Sequence, residues 1–162
     1  MENDSAPARI LVGIDGSDSS IEALRGAVRI AAAMNAHIRA IIAWESPALY
    51  YKFPQSSLTP DDDAKTTLSN ALMQAFGNEL PANLDSAVLR GRTAQLLIEQ
   101  SENADMLVLG SRGHGGFAGL LLGSVSAACA QHARCPVLIM HRAEHSKITG
   151  SPHLPPGAAA NT

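Results

Sequence analysis

Hydrophobic positions along the chain gather into five short apolar runs that are separated by longer, partly polar stretches. Glycine, proline or polar residues bound each run, which is typical of buried β-strands. The predicted strands are 9–14, 36–44, 84–90, 105–109 and 135–140.

The stretches between the runs predict helices, because their apolar residues recur every three or four positions. The first helix is predicted to begin at the capping-box pair Ser19 and Glu22, and the second to begin at the acidic run 61–63. The third is predicted with Thr93 as its N-cap, and the fourth over 124–133.

Strands that are apolar throughout and alternate with helices favour a parallel sheet covered on both faces. With right-handed crossovers, the favoured architecture is an open, doubly wound, Rossmann-like α/β fold, with five parallel strands in the order 3-2-1-4-5. The winding reverses between strands 1 and 4, and such sheets bind ligands outside the carboxyl ends of the strands at that reversal. Asp15 and the segment after Leu109 both lie there.

Composition supports one filled core and excludes several partners. The 162 residues are 46% hydrophobic and 4% aromatic, with a net charge of −3. The chain has no Lys/Arg-rich run, so we expect neither a nucleic-acid nor an anionic membrane partner. No apolar run approaches the ~20 residues of a membrane span, and the N-terminus lacks a leader pattern. We therefore expect a cytoplasmic protein, with Cys129 and Cys135 as buried, reduced thiols.

The segment 110–126 reads GSRGHGGFAGLLLGSVS and holds six glycines between a predicted strand and a predicted helix. Glycines allow positive φ and a close approach of backbone to ligand, and the following helix N-terminus favours an anion. Ser124 and Ser126 add hydroxyl groups, and Arg112 adds a positive charge. The segment predicts a phosphate-binding loop, although close helix–strand packing alone also produces glycine-rich loops.

The spacing Gly-x2-Gly-x9-Gly-Ser, at Gly110, Gly113, Gly123 and Ser124, resembles the nucleotide-binding branch of the universal stress protein family. The opening LVGIDGSDSS, the stretch GRTAQLLIEQSENADMLVLGSRG and the closing CPVLIMH are similar to that family as well.

The resemblance covers about 8–142 and implies a nucleotide-binding domain there, between a flexible N-terminus at 1–7 and a disordered tail at 143–162. It implies ATP as the ligand, with cAMP or another adenine nucleotide as the alternative, and Mg²⁺ or Mn²⁺ on the phosphates. It also implies a homodimer through strand 5. By position, the implied binding residues are Gly13, Asp15, Ala43, Trp44, Gly110, Gly113, Gly123, Ser124, Val125 and Ser126. The charge of Arg112 in the same loop adds it to the predicted binding residues.

Three functions remain open from the sequence. The first is a small ATP-binding stress-response protein that acts by nucleotide-linked regulation. The second is a slow nucleotide hydrolase or adenylyl-transfer enzyme that uses the same site; we assign no catalytic residue, because no glutamate or histidine is clearly placed as a base. The third is an interaction module without a nucleotide. The loop 46–60, which contains Tyr50, Tyr51 and Phe53, is either a cover for the base, a partner surface or an ordinary surface loop.

Overall fold

The computed structural model describes residues 7–45, 59–114 and 121–141. The predictions for the flexible N-terminus, the tail and nearly all of the loop 46–60 lie outside this part of the chain. The strands are β1 (Arg9–Ile14), β2 (His37–Trp44), β3 (Leu84–Arg90), β4 (Met106–Gly110) and β5 (Val137–Met140). The α-helices are α1 (Asp18–Met34), α2 (Pro60–Phe76), α3 (Thr93–Gln100) and α4 (Ser124–His132).

The strands form one parallel sheet in the order β3-β2-β1-β4-β5, which confirms the predicted architecture. Because β1 pairs with both β2 and β4, the winding reverses between β1 and β4. All five carboxyl ends lie along one edge, and the helix N-termini follow them there.

Two apolar cores cover the two faces of the sheet, because neighbouring residues of a strand point to opposite faces. The first core is packed by α1 and α2 and includes the fully buried Ile38 and Val108. The second is smaller and includes the fully buried Leu97, Leu107 and Cys129. Each strand therefore supplies both cores.

Two predicted helix caps are wrong. The N-cap of α1 is Ser17, whose side chain accepts the N–H of Ser20, because the β1–α1 turn ends two residues earlier than the Ser19 pattern indicates. Glu22 instead forms a 2.6 Å ion pair with Arg25. Thr93 is the first residue of α3 and follows the N-cap Arg92, which makes no side-chain cap bond.

A capping box exists at the start of α2, where Thr59 and Asp62 bond each other's backbone N–H groups. This arrangement places the acidic run 61–63 in the first turn of the helix, as predicted, and α2 ends at Gly77 with a positive φ of 64°. Both cysteines are free thiols, but of the two predicted to be buried only Cys129 is; Cys135 is half-buried. Strand β5 begins at Val137, two residues after the predicted start at Cys135. Within the described ranges, no helix is long and apolar enough to cross a membrane.

Candidate functional site

A cavity of about 330 Å³ opens at the carboxyl edge of the sheet, where β1 and β4 are neighbours. Its wall is formed by the β1–α1 turn, the start of α3, the described residues of the glycine-rich segment 110–123 (the β4 loop) and the start of α4. Its lining consists of Gly13, Ile14, Asp15, Ser20, Thr93, Leu97, Leu109, Gly110, Arg112, Gly113, His114, Gly123, Ser124, Val125 and Ser126. Nine of the eleven binding residues predicted from the sequence are among them.

Asp15 is the carboxylate of this cavity, and the β1–α1 turn fixes its orientation. Its Oδ1 accepts the backbone N–H of Ser17 at 2.9 Å and the Ser17 hydroxyl at 2.6 Å. Gly16 lies between them with φ +82°, a conformation that L side chains rarely adopt. Asp15 is thus held in place beside the N-terminus of α1, but Ser17 caps that helix.

The β4 loop is tied to this turn through its backbone. The Ser19 hydroxyl donates to the Arg112 carbonyl oxygen, and the Ser17 hydroxyl lies 3.3 Å from the same oxygen. Arg112 is exposed and belongs to the cavity lining. The main chain of the loop is therefore fixed at its start, where Arg112 adds a positive charge to the cavity lining.

The two ends of the loop are also joined to each other. The N–H of Gly123 donates to the Ser111 carbonyl at 2.8 Å, so this N–H is not available to an anion. The N–H of Ser111 donates to the Met140 carbonyl at 2.7 Å. The loop is in this way connected to the last residue of the edge strand β5.

Helix α4 begins with its N-terminus at the cavity. Gly123 is the N-cap and has no side chain to cap the helix, so the first-turn N–H groups of Ser124 and Val125 have no partner inside the helix. These groups and the helix dipole favour an anion. The Ser126 hydroxyl, by contrast, donates to the Gly110 carbonyl at 2.7 Å and is buried, so it holds the loop against the helix.

Gly110 and Gly113 are required because a side chain has no space there, and not because of a positive φ. A Cβ on Gly110 would lie 2.7 Å from the Ser19 carbonyl carbon and 2.8 Å from the Ser20 nitrogen, both backbone atoms. A Cβ on Gly113 would overlap Asp15 Oδ2. Of the loop glycines that the structure describes, none has a positive φ. The remaining three, at 115, 116 and 119, lie outside the described ranges.

Ala43 and Trp44 do not line the cavity. The Trp44 ring packs against the first core, on the α1–α2 side, with the Arg90 guanidinium carbon 5.5 Å from its centroid. The carbonyl oxygen of Trp44 accepts the N–H of Gly91 at 2.9 Å. These two residues therefore stand at the same sheet edge, one strand away from the cavity.

Sequence reasoning missed Thr93, the side chain of Leu97 and Ser20 as cavity residues. Thr93 was expected only as a helix cap, yet the parallel topology brings the start of α3 to the same edge as α4. The signal that finds it is topological: every helix that follows a strand in such a sheet begins at the carboxyl edge.

The fold places the chain among the doubly wound α/β proteins, and the cavity lies at the point where the winding of the sheet reverses. The sequence profile of the universal stress protein family matches residues 8–141, and the chain belongs to that family.

A universal stress protein of Mycobacterium tuberculosis strain H37Rv is 35% identical over 138 residues. This alignment spans 82% of the present chain but only 44% of that relative, so the chain spans less than half of its length.

Solved structures agree on the fold. The universal stress protein UspA from Lactobacillus plantarum superimposes with a TM-score of 0.68 at 23% identity, over 84% of this chain and 99% of that one. A universal stress protein solved in complex with cAMP superimposes with a TM-score of 0.64 at 30% identity, over 85% of this chain and 99% of that one.

Proposed function

We propose that this protein binds an adenine nucleotide in the cavity between β1 and β4, with ATP as the leading candidate. We further propose that the nucleotide acts as a regulatory ligand. The observation that carries the proposal is the open N-terminus of α4, which faces a cavity already walled by Asp15 and Arg112. The universal stress protein crystallised with cAMP, at 30% identity, supports an adenine nucleotide as the ligand class.

The phosphates would bind at the start of α4. The N–H groups of Ser124 and Val125 supply donors there, the exposed Ser124 hydroxyl adds another, and the Arg112 side chain supplies positive charge. Ser126 and Gly110 would act indirectly, because their mutual hydrogen bond fixes the loop against the helix.

The donor set fits a divalent cation that arrives with the nucleotide. Mg²⁺ is commonly held by one or two carboxylates together with phosphate oxygens. Asp15 is the carboxylate among the described lining residues, and its Oδ2 lies beside Gly113, next to the loop. Asp15 would hold Mg²⁺ or Mn²⁺, and the cation would neutralise phosphate charge.

Regulation would follow from linkage between the nucleotide and the edge strand. A ligand that binds one conformation more tightly stabilises that conformation. The loop that would bind the phosphates is bonded to β5 through Ser111 and Met140, and β5 is an edge strand whose side chains are only half-buried. An unpaired apolar edge favours pairing with a second copy. We infer a homodimer through β5 that the nucleotide stabilises.

The test is to identify what the purified protein carries and what it consumes. Heat-denatured protein is analysed for released nucleotide by mass spectrometry, and the ligand-free protein is titrated calorimetrically with ATP, cAMP and AMP in the presence of Mg²⁺. We expect saturable ATP binding and no phosphate release above the blank. Sustained phosphate release would establish the hydrolase instead, and the absence of binding by all three nucleotides would refute the proposal.

A further inference from the structure

A second cavity, of about 520 Å³, opens at the opposite, amino-terminal edge of the sheet. Its polar wall is made by Arg9, His37, Arg39 and Asp85, with Gln100 and Asn103 at the end of α3 and in the turn after it. None of these residues lines the cavity between β1 and β4. The volume falls in the usual range for small-molecule sites, roughly 300–1,000 Å³.

Strand register places the charged side chains on one face of the sheet. Arg9 pairs with His37 between β1 and β2, and Arg39 pairs with Asp85 between β2 and β3. Since residues two apart in a strand point to the same face, all four side chains share it. The residues between them, such as the fully buried Ile38, point to the first core.

These side chains are only partly satisfied by one another. His37 Nε2 lies 2.9 Å from Asp85 Oδ2, which is a hydrogen-bond distance. Arg39 Nη1 is 3.6 Å from Asp85 Oδ1, which is too long for a hydrogen bond, and that buried oxygen has no hydrogen-bond partner among the described residues.

Arg9 is without an ion-pair partner in the part of the chain that the structure describes. The nearby carboxylate of Asp105 accepts its backbone N–H at 2.7 Å. Among the described lining residues of this cavity, two arginines and a histidine thus stand against one carboxylate, that of Asp85.

We propose that this cavity binds a small organic anion, a carboxylate or a phosphate ester, through Arg9, His37 and Arg39. Guanidinium groups bind both oxyanions in the same planar, bidentate manner. Asp85 is an internal competitor: in the free protein its carboxylate contacts His37 and attracts Arg39, and the ligand displaces it from both side chains. The carboxamides of Gln100 and Asn103 offer further hydrogen bonds to a ligand larger than a bare phosphate.

The competitor role makes the effects of two substitutions opposite in sign. Arg39→Gln removes a cation of the site, and we expect at least a tenfold loss of affinity. Asp85→Asn removes the negative charge but preserves the shape of the side chain, and we expect affinity to rise several-fold. A merely solvated cluster of surface charges would show neither change.

The experiment is a titration of the full-length protein with succinate, glycerol 3-phosphate and, as the neutral control, glycerol, followed by ¹⁵N–¹H NMR. Amide signals of His37, Arg39, Asp85 and Asn103 report this cavity, and those of Ser124 and Val125 report the other one. Arg29→Gln and Glu79→Gln, at exposed positions away from both cavities, are the charge-matched controls.

We expect saturable shifts at the first set of signals with one or both anions, none with glycerol, and opposite changes in affinity for the two variants. Preference for succinate or for glycerol 3-phosphate identifies the oxyanion. Absence of shifts at His37 and Arg39, equal responses in the control variants, or weaker binding by Asp85→Asn would overturn the proposal.

Discussion

Asp15 and Gly113 are in direct contact across the β1–β4 reversal: Oδ2 of Asp15 occupies the space in which a side chain on residue 113 would begin. The other oxygen of the same carboxylate is bonded to Ser17. The carboxylate is therefore held between the helix-capping turn and the β4 loop. A side chain added at position 113 of the loop would displace it.

Gly113→Ala is expected to weaken ATP binding about tenfold, equivalent to about 1.4 kcal/mol, because the new methyl group displaces the Asp15 carboxylate. The melting temperature should change little, since residue 113 is exposed. Calorimetry on the Asp15→Ala background provides the control in a double-mutant cycle. If Gly113→Ala costs as much affinity there as in the wild type, the contact between the two residues does not matter for binding.

Gly110→Ala is expected to destabilise the fold by about 1–3 kcal/mol, the typical cost of overpacking. The methyl group would meet the backbone of Ser19 and Ser20, which cannot rotate away as a side chain does. Gly123→Ala is the matched control, because its Cβ would lie 3.5 Å from the nearest atom, the nitrogen of Gly113. Urea denaturation should separate the two variants, and equal stabilities would contradict the close approach of β4 to α1.

Ile139→Lys is expected to convert a homodimer to a monomer, because it places a charge on the apolar edge strand β5. Leu89→Lys, on the opposite edge strand β3, is the control: both residues are half-buried and pack against the second core. Sedimentation equilibrium should show a monomer for Ile139→Lys and a dimer for Leu89→Lys. A dimer in both would move the interface away from β5.

Cys129 should resist alkylation in the folded protein, whereas Cys135 should react. Burial, and then the charge of Cys135, raises the pKa of the Cys129 thiol from 9.0 to about 11, so little reactive thiolate forms at neutral pH. In the unfolded chain the Cys129 thiol ionises near pH 9.0, whereas in the folded protein it ionises near pH 11. Below about pH 9 the thiol is protonated in both states and the shift does not change the stability; as the pH rises from 9 toward 11, the unfolded state loses its proton first and the folded state becomes less stable. Mass spectrometry after iodoacetamide treatment at pH 8 tests this, and equal labelling of both cysteines would contradict the burial of Cys129.

The periodicity of the sequence predicted the sheet well because apolar runs such as 9–14 and 135–140 have few alternative structures. It failed at the helix caps, where four residues with similar capping ability stand close together in the segment 17–20. Only the three-dimensional turn, with its positive φ at Gly16 and its Asp15–Ser17 bonds, selects Ser17.

The amino-terminal cavity was also beyond the reach of sequence reasoning. Arg39 and Asp85 are far apart in the chain, and each looks like an ordinary solvated residue at a strand position. The register between β2 and β3 is what brings them together, and that register depends on the packing of the whole sheet.

An adenine nucleotide is proposed to bind with its phosphates at the start of α4. The most direct test is calorimetric titration of Gly123→Val with ATP and Mg²⁺, alongside the wild type. The backbone of Gly123, with φ −69° and ψ 162°, accepts any residue. The valine methyl groups would crowd the space in front of the Ser124 and Val125 N–H groups. We expect a folded variant, shown by an unchanged circular dichroism spectrum, that no longer binds ATP. Wild-type affinity in the folded variant would contradict it.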